Sequence, residues 1–255
     1  MGINFNIIKN NIKCIFNYKV ILLNVLIFIL LFLFQIMFMK EYSLANLFEY
    51  IKYYFYGVNT TLENISSLLI WLLFQLFFML IMILYIDNEF QGRNIYLISR
   101  LRSKENWFLN LEFTIILSSI IYFFIGFLTL TLCSIMDNNT VLLLKENISI
   151  VPIFIILFLN SSFYVNVYLL IFISLKNNKY SFLLIILLVI INIDLGSILK
   201  IDLYNPFTQC IFLKYYMINN SFLNSIIVLL ISNSLIILSL YFTIIKKDLL
   251  NSTIQ

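Results

Sequence analysis

The chain has no histidine, and its 255 residues include only three cysteines, two prolines and five glycines. Without imidazole there is no histidine general base, no histidine-ligated metal and no histidine-bound haem. Cys14, Cys133 and Cys210 are too far apart to match a zinc-site spacing. A Cys133–Cys210 disulfide is topologically allowed but would need demanding geometry. The glycines form neither G-x-x-x-x-G-K-[ST] nor G-x-G-x-x-G, so the chain has no P-loop of its own and carries no cofactor-binding fingerprint. G-x-x-x-G, the close-packing motif of membrane helix pairs, is also missing. Charge is the other shortage: Asp, Glu, Lys and Arg make up 11% of the residues, against roughly 25% in an average soluble domain. The basic residues form no clustered soluble face, which leaves nucleic acid without a binding surface.

Apolar residues fill the space that charge leaves. They make up 62% of the chain, and the mean hydropathy is +1.01. A soluble domain of this length has too little interior to hide that much apolar surface, whereas lipid removes the conflict. The bias toward Ile, Leu, Phe, Asn and Lys fits an AT-rich genome, so a low-GC bacterial source is expected. Val20–Met39 contains no charge and, at 1.5 Å per residue, spans about 30 Å, one hydrocarbon thickness. It is too long for a signal-peptide core and has no small-residue cleavage site after it, so an uncleaved first span is expected. Further spans are expected over 65–86, 109–136, 150–175, 181–194 and 222–245. In residues 1–19, Phe5, Ile8, Ile12, Ile15 and Phe16 recur at helical spacing among Lys9, Lys13 and Lys19, which predicts an amphipathic interfacial helix. The aromatic run Tyr50, Tyr53, Tyr54, Phe55 and Tyr56 reads as a belt at the outer interface, and 196–220 as a loop around Pro206.

Basic residues set the orientation. With the N terminus inside, only Lys40, Lys52, Lys145, Lys200 and Lys214 of the 16 basic residues fall outside. Arg93, Arg100 and Arg102 all lie in one inside segment. The expected class is therefore an all-α, six-span protein of the bacterial plasma membrane with both termini cytoplasmic.

Ionisable groups are almost absent from the span interiors: Glu112 falls near the inner end of the third span and Asp194 at the outer end of the fifth. That pattern argues against a proton-coupled carrier or ion pump. Neutral polar residues do occur there, and Asn160, Ser162, Asn166 and Asn233 are candidates for lining a substrate path as well as for bridging helices.

The segment 87–107 combines charge with an apolar strip, Ile95, Ile98 and Leu101. It holds a Glu-x-x-Gly directly after the second span (Glu89, Gly92), then Ser99-Arg100, then Trp107 before the third span. This arrangement, with an N-terminal interfacial helix and six spans, resembles the ABC-2 type permeases, the membrane subunits of ATP-binding-cassette exporters. Among them it looks most like the small permeases of low-GC Gram-positive bacteria, which export phenol-soluble modulins or other amphipathic peptides or give immunity to bacteriocins.

The resemblance implies a cytoplasmic coupling helix in 87–107 seated on a separate ATPase. Glu89, Gly92, Arg93, Tyr96, Ser99, Arg100, Arg102 and Trp107 would form the contact, and Lys176 and Lys179 a smaller second one. It also implies a second permease copy or a sister permease, ATP and Mg held by the partner subunit, surrounding lipid, and an amphipathic or hydrophobic peptide, toxin or antimicrobial as cargo. Two alternatives share the layout: an immunity or sensor subunit that does not transport, and an intramembrane enzyme, which would need the buried Glu or His clusters that this chain lacks.

Overall fold

The computed structural model describes residues 4–39, 54–61, 65–90, 103–136, 150–218 and 221–246. Within them lie eight helices: α1 (Phe5–Ile15), α2 (Tyr18–Met39), α3 (Ile65–Asn88), α4 (Lys104–Met136), α5 (Ile150–Leu175), α6 (Asn178–Leu199), α7 (Phe212–Ile218) and α8 (Phe222–Lys246). No strand occurs among the described residues. Stretches of α3, α4, α5, α6 and α8 are each long and apolar enough to cross a membrane, which makes five spans. Counting the pair Phe5–Ile15 and Tyr18–Phe34, which meet at 62°, makes six. These helices fit a multi-pass membrane protein.

Asparagine starts three of the helices, and a left-handed lysine follows two. The Asn4 side chain accepts from the N–H groups of Asn6 and Ile7 at the head of α1, and that of Asn17 accepts from Val20 N–H at the head of α2. Asn177 does the same for Lys179 and Tyr180 at the head of α6. Each cap satisfies amide donors that have no intrahelical partner. A left-handed residue often closes a helix, usually glycine. In this glycine-poor chain Lys176 (φ 53°) follows α5 and Lys200 (φ 55°) caps α6. That conformation costs a non-glycine residue about 1–2 kcal/mol.

The fifth span, expected over 181–194, belongs to a longer helix, Asn178–Leu199. Asp194 does not end it, because the carboxylate is taken up by Thr61, whose N–H donates to Oδ1 at 2.8 Å and whose hydroxyl donates to Oδ2 at 2.7 Å. The chain at 196–220 is likewise more than a loop, since it holds the end of α6, a series of turns and α7.

α5 is the central element, packed against α3, α4, α6 and α8, while α1 and α2 pack on α3 and α4. Between α2 and α4 the Phe28 ring occupies the place where a Cβ on Gly126 would project, so a single glycine allows the close approach. Asn24 donates to the Tyr122 carbonyl at 3.2 Å, and the Tyr122 hydroxyl to the Phe74 carbonyl at 2.9 Å, tying α2, α4 and α3 together. In lipid such contacts and shape matching hold helices together, because the surroundings are as apolar as the side chains. α6 and α8 turn most of their surface outward through Leu183, Leu187, Ile191, Leu230, Leu235 and Leu238.

Tyr54 and Phe55 correct the aromatic-belt reading, because both are buried in the core. Gly57 (φ +73°) turns the chain so that the Phe55 ring packs on Phe74 at 5.0 Å and on Phe127 at 5.6 Å. Tyr50 and Tyr53 lie outside the described residues.

Candidate functional site

Two polar regions of the bundle could carry a function: the end where α3 gives way to α4, and a polar stretch along α5. At the first, α3 finishes at Asn88 and Glu89–Phe90 form a wider π turn. The chain re-enters at Ser103, whose hydroxyl accepts from Asn106 N–H at 3.0 Å and starts α4. Glu89 is buried (1% exposed), in a cleft it shares with Ile7, Asn11, Tyr85, Trp107, Asn110 and Leu111. Trp107, expected at the ATPase contact, is also buried. Its ring meets Phe90 edge-on at 5.4 Å, and Phe90 meets Phe172 of α5 at the same distance. Gly92, Arg93, Tyr96, Ser99, Arg100 and Arg102 lie outside the described residues, so the expected coupling helix does too. Lys176 and Lys179 are exposed, at the turn from α5 to α6 on this same end of the bundle.

α1 braces the root of this segment. Asn4 N–H donates to Asn110 Oδ1 at 3.0 Å, and Asn11 Nδ2 to the Thr114 hydroxyl at 3.2 Å. Ile7, Ile8 and Ile15 are buried beside them. The 3–4 spacing of apolar residues over 1–19 did locate this helix, and the burial of Ile8 and Ile15 accounts for it. Asn11 joins the buried face because its partner, Thr114, is itself buried.

Along α5, Asn160, Ser161, Ser162, Tyr164, Asn166 and Tyr168 are all buried. Several are spent on holding neighbours. Ser161 donates to Gln75 of α3 at 2.6 Å, and Tyr164 to the Phe207 carbonyl at 2.7 Å. Ser162 returns to the carbonyl of Leu159 in its own helix. Asn233 of α8 donates to that carbonyl at 3.0 Å, which makes it a bridge between helices. Asn160 lies beside the Tyr164 hydroxyl. Asn166 approaches the Glu112 carboxyl. Among the described residues, neither amide and neither Glu112 oxygen closes a well-formed hydrogen bond. Of the four path candidates, Ser162 bonds within its own helix and Asn233 bridges two helices, while Asn233 Oδ1 and the side-chain amides of Asn160 and Asn166 have no hydrogen-bond partner among the described residues.

Glu112 lies deeper than its sequence position suggested. α4 begins at Lys104, so this carboxyl sits about two turns inside the helix and is 4% exposed. A buried carboxyl within a long apolar helix is a candidate functional position, and it is this enclosure that the sequence did not show.

At the opposite end, residues 201–215 fold back into the bundle. Cys210, Ile211 and Phe212 are fully buried, and Trp71 Nε1 donates to the Cys210 carbonyl at 3.4 Å. Lys214, expected in an outer loop, is buried with Asp202 at 2.7 Å. Leu213 N–H donates to the Tyr56 carbonyl at 2.8 Å, which joins this segment to 54–61. Hydropathy alone could not find the pairing, since it arises only when the chain doubles back.

The three cysteines are free thiols. Among the described residues no group of three His, Cys, Asp or Glu side chains comes together to hold a metal ion. Comparison with known protein families, curated proteins and solved structures finds no match.

Proposed function

We propose that this chain is the membrane subunit of an ATP-binding-cassette exporter of the ABC-2 type, with six spans and both termini in the cytoplasm. It moves an amphipathic or hydrophobic substrate, such as a peptide, toxin or antimicrobial, with ATP hydrolysed on a separate subunit. The observation that carries this reading is the arrangement around 87–107. A basic segment of the sequence is rooted on two buried aromatics, Phe90 and Trp107, and on the buried Glu89. Force applied to that segment would pass through Phe90 to Phe172 and into α5, which packs against α3, α4, α6 and α8. α1 holds the first turns of α4 from the side.

In this reading Arg93, Arg100 and Arg102 face the ATPase, with Lys176 and Lys179 as a second contact. Glu89 acts from within, by fixing the angle at which the segment leaves α3. A second copy or a sister permease completes the assembly. Asn160, Asn166 and Glu112 supply polar atoms along the cargo path.

The test is purification of the full chain from its native membranes in mild detergent, followed by identification of co-purifying proteins. A stoichiometric P-loop ATPase is expected. Arg100→Glu with Arg102→Glu should abolish cargo-stimulated ATP turnover while leaving the folded chain in the membrane. Absence of an ATPase, or unchanged stimulation in the reversed variant, would overturn the proposal.

A further inference from the structure

α1 has two chemically different faces. The inner one is committed to the bundle through Ile7, Ile8, Asn11 and Ile15. The outer one carries Phe5, Lys9, Lys13 and Cys14, with Tyr18 and Lys19 just beyond, and all of these are exposed. Lys9 and Lys13 are one helical turn apart and lie on one stripe. No Asp or Glu occurs anywhere in residues 4–19, so nothing within this segment neutralises the three ammonium groups.

The geometry gives this face a setting. α1 meets α2 at 62°, so it runs across the direction of the first span and not along it. A helix in that attitude at the end of a span lies at the level of the lipid headgroups. Phe5 and Tyr18 are 77% and 75% exposed, and large rings left open beside lysines have the composition of a helix that rests in the membrane interface. The rings insert among the upper acyl chains, while the lysine stems lie along the apolar layer and raise their ammonium groups to the phosphates.

We infer that the outer face of α1, through Lys9, Lys13 and Lys19, is a binding surface for anionic phospholipid headgroups. The argument is charge complementarity. A zwitterionic headgroup cancels the attraction of its phosphate with its own cation, whereas a headgroup such as phosphatidylglycerol leaves a net negative charge for the lysines. Three lysines near the surface should enrich anionic over zwitterionic lipid beside α1 by about tenfold or more at moderate salt. The preference should weaken as the Debye length shortens. The inference needs the chain to span a membrane but does not depend on the exporter reading.

Cys14 provides the probe, because it is exposed on this face while Cys210 is buried. The full-length Cys133→Ser chain is labelled at Cys14 with a fluorophore. It is then reconstituted in equimolar phosphatidylcholine and phosphatidylglycerol vesicles, with quenching bromine on the acyl chains of one lipid or the other. Brominated phosphatidylglycerol should quench the label several-fold more than brominated phosphatidylcholine. The difference should fall in high salt and vanish in Lys9→Gln/Lys13→Gln/Lys19→Gln. Quenching of that variant by brominated phosphatidylcholine that is at least as strong as in the parent verifies that α1 is still seated. A Cys14→Ser chain labelled at Cys133, toward the far end of α4, should show no preference. Equal quenching by both lipids in the parent chain would overturn the inference and leave the lysines to an acidic protein surface. So would a preference that survives either high salt or loss of the three lysines.

Discussion

The Lys214 ammonium lies 2.7 Å from Asp202 Oδ1, with both side chains buried. The same nitrogen donates to the Ile193 carbonyl at 2.9 Å and to the Ser197 hydroxyl at 3.1 Å. One cation thus joins α7, the turn after α6 and the last turns of α6. Breaking a buried pair by removing one partner leaves a charge without compensation and costs about 3–5 kcal/mol. Lys214→Met alone and Asp202→Leu alone should each lower the Tm of the detergent-solubilised chain sharply. The double variant should recover much of the loss, because two apolar side chains leave no orphan charge. Trp71 is buried beside this segment, so its fluorescence reports the unfolding.

At Gly126 α2 and α4 approach closely, since the Phe28 ring lies where a Cβ would project. Overpacking of this kind costs about 1–3 kcal/mol. Gly126→Ala should therefore destabilise the bundle, and adding Phe28→Leu should restore part of the loss by removing the obstructing ring. Thermal unfolding of the two variants separates this steric account from a general intolerance of substitution at 126, for which the second change would give no recovery.

The thiols should differ in reactivity. Thiolate is the reactive form of cysteine. Burial pushes the Cys210 thiol well above its ordinary range, against smaller opposing effects of the neighbouring Tyr164 and of a backbone hydrogen bond. Cys14 is exposed. A maleimide near neutral pH should modify Cys14 within the folded chain and leave Cys210 untouched until denaturant is added, as followed by intact mass. A shift to mildly alkaline pH should not change that order, because it still leaves the Cys210 thiol protonated as well as enclosed.

The broad class was legible because lipid imposes a simple rule, a long run of apolar residues for each crossing. Val20–Met39 and the runs at 65–86, 150–175 and 222–245 all fall within helices. α1 was legible from its 3–4 spacing. What hydropathy hid was any polar group whose partner is distant in sequence. Asp194 resembled the end of a span because its partner, Thr61, is 133 residues away. Lys214 resembled a soluble loop residue because Asp202 reaches it only after the chain turns. Tyr54 resembled an interface residue because local composition does not record the turn at Gly57 that carries it inward.

Glu112 is the most informative position to substitute. Its carboxyl is buried about two turns into α4 beside the Asn166 amide, and neither oxygen has a well-formed hydrogen bond among the described residues. Burying an unsatisfied polar group costs about 1–3 kcal/mol, and more for a charged one. A residue kept only for packing would gain from losing that burden. Glu112→Gln preserves the shape and removes the ionisable group, so Tm should stay level or rise by a few degrees, consistent with about 1 kcal/mol. If the carboxyl serves the cargo path, the same variant should lose cargo-stimulated ATP turnover in the reconstituted assembly despite its undiminished stability. Asn166→Leu should then reduce turnover as well, because it removes the polar group nearest to Glu112. A more stable Glu112→Gln chain with full turnover would instead assign both side chains to helix packing alone. Measuring Tm and turnover on the same preparation distinguishes these outcomes.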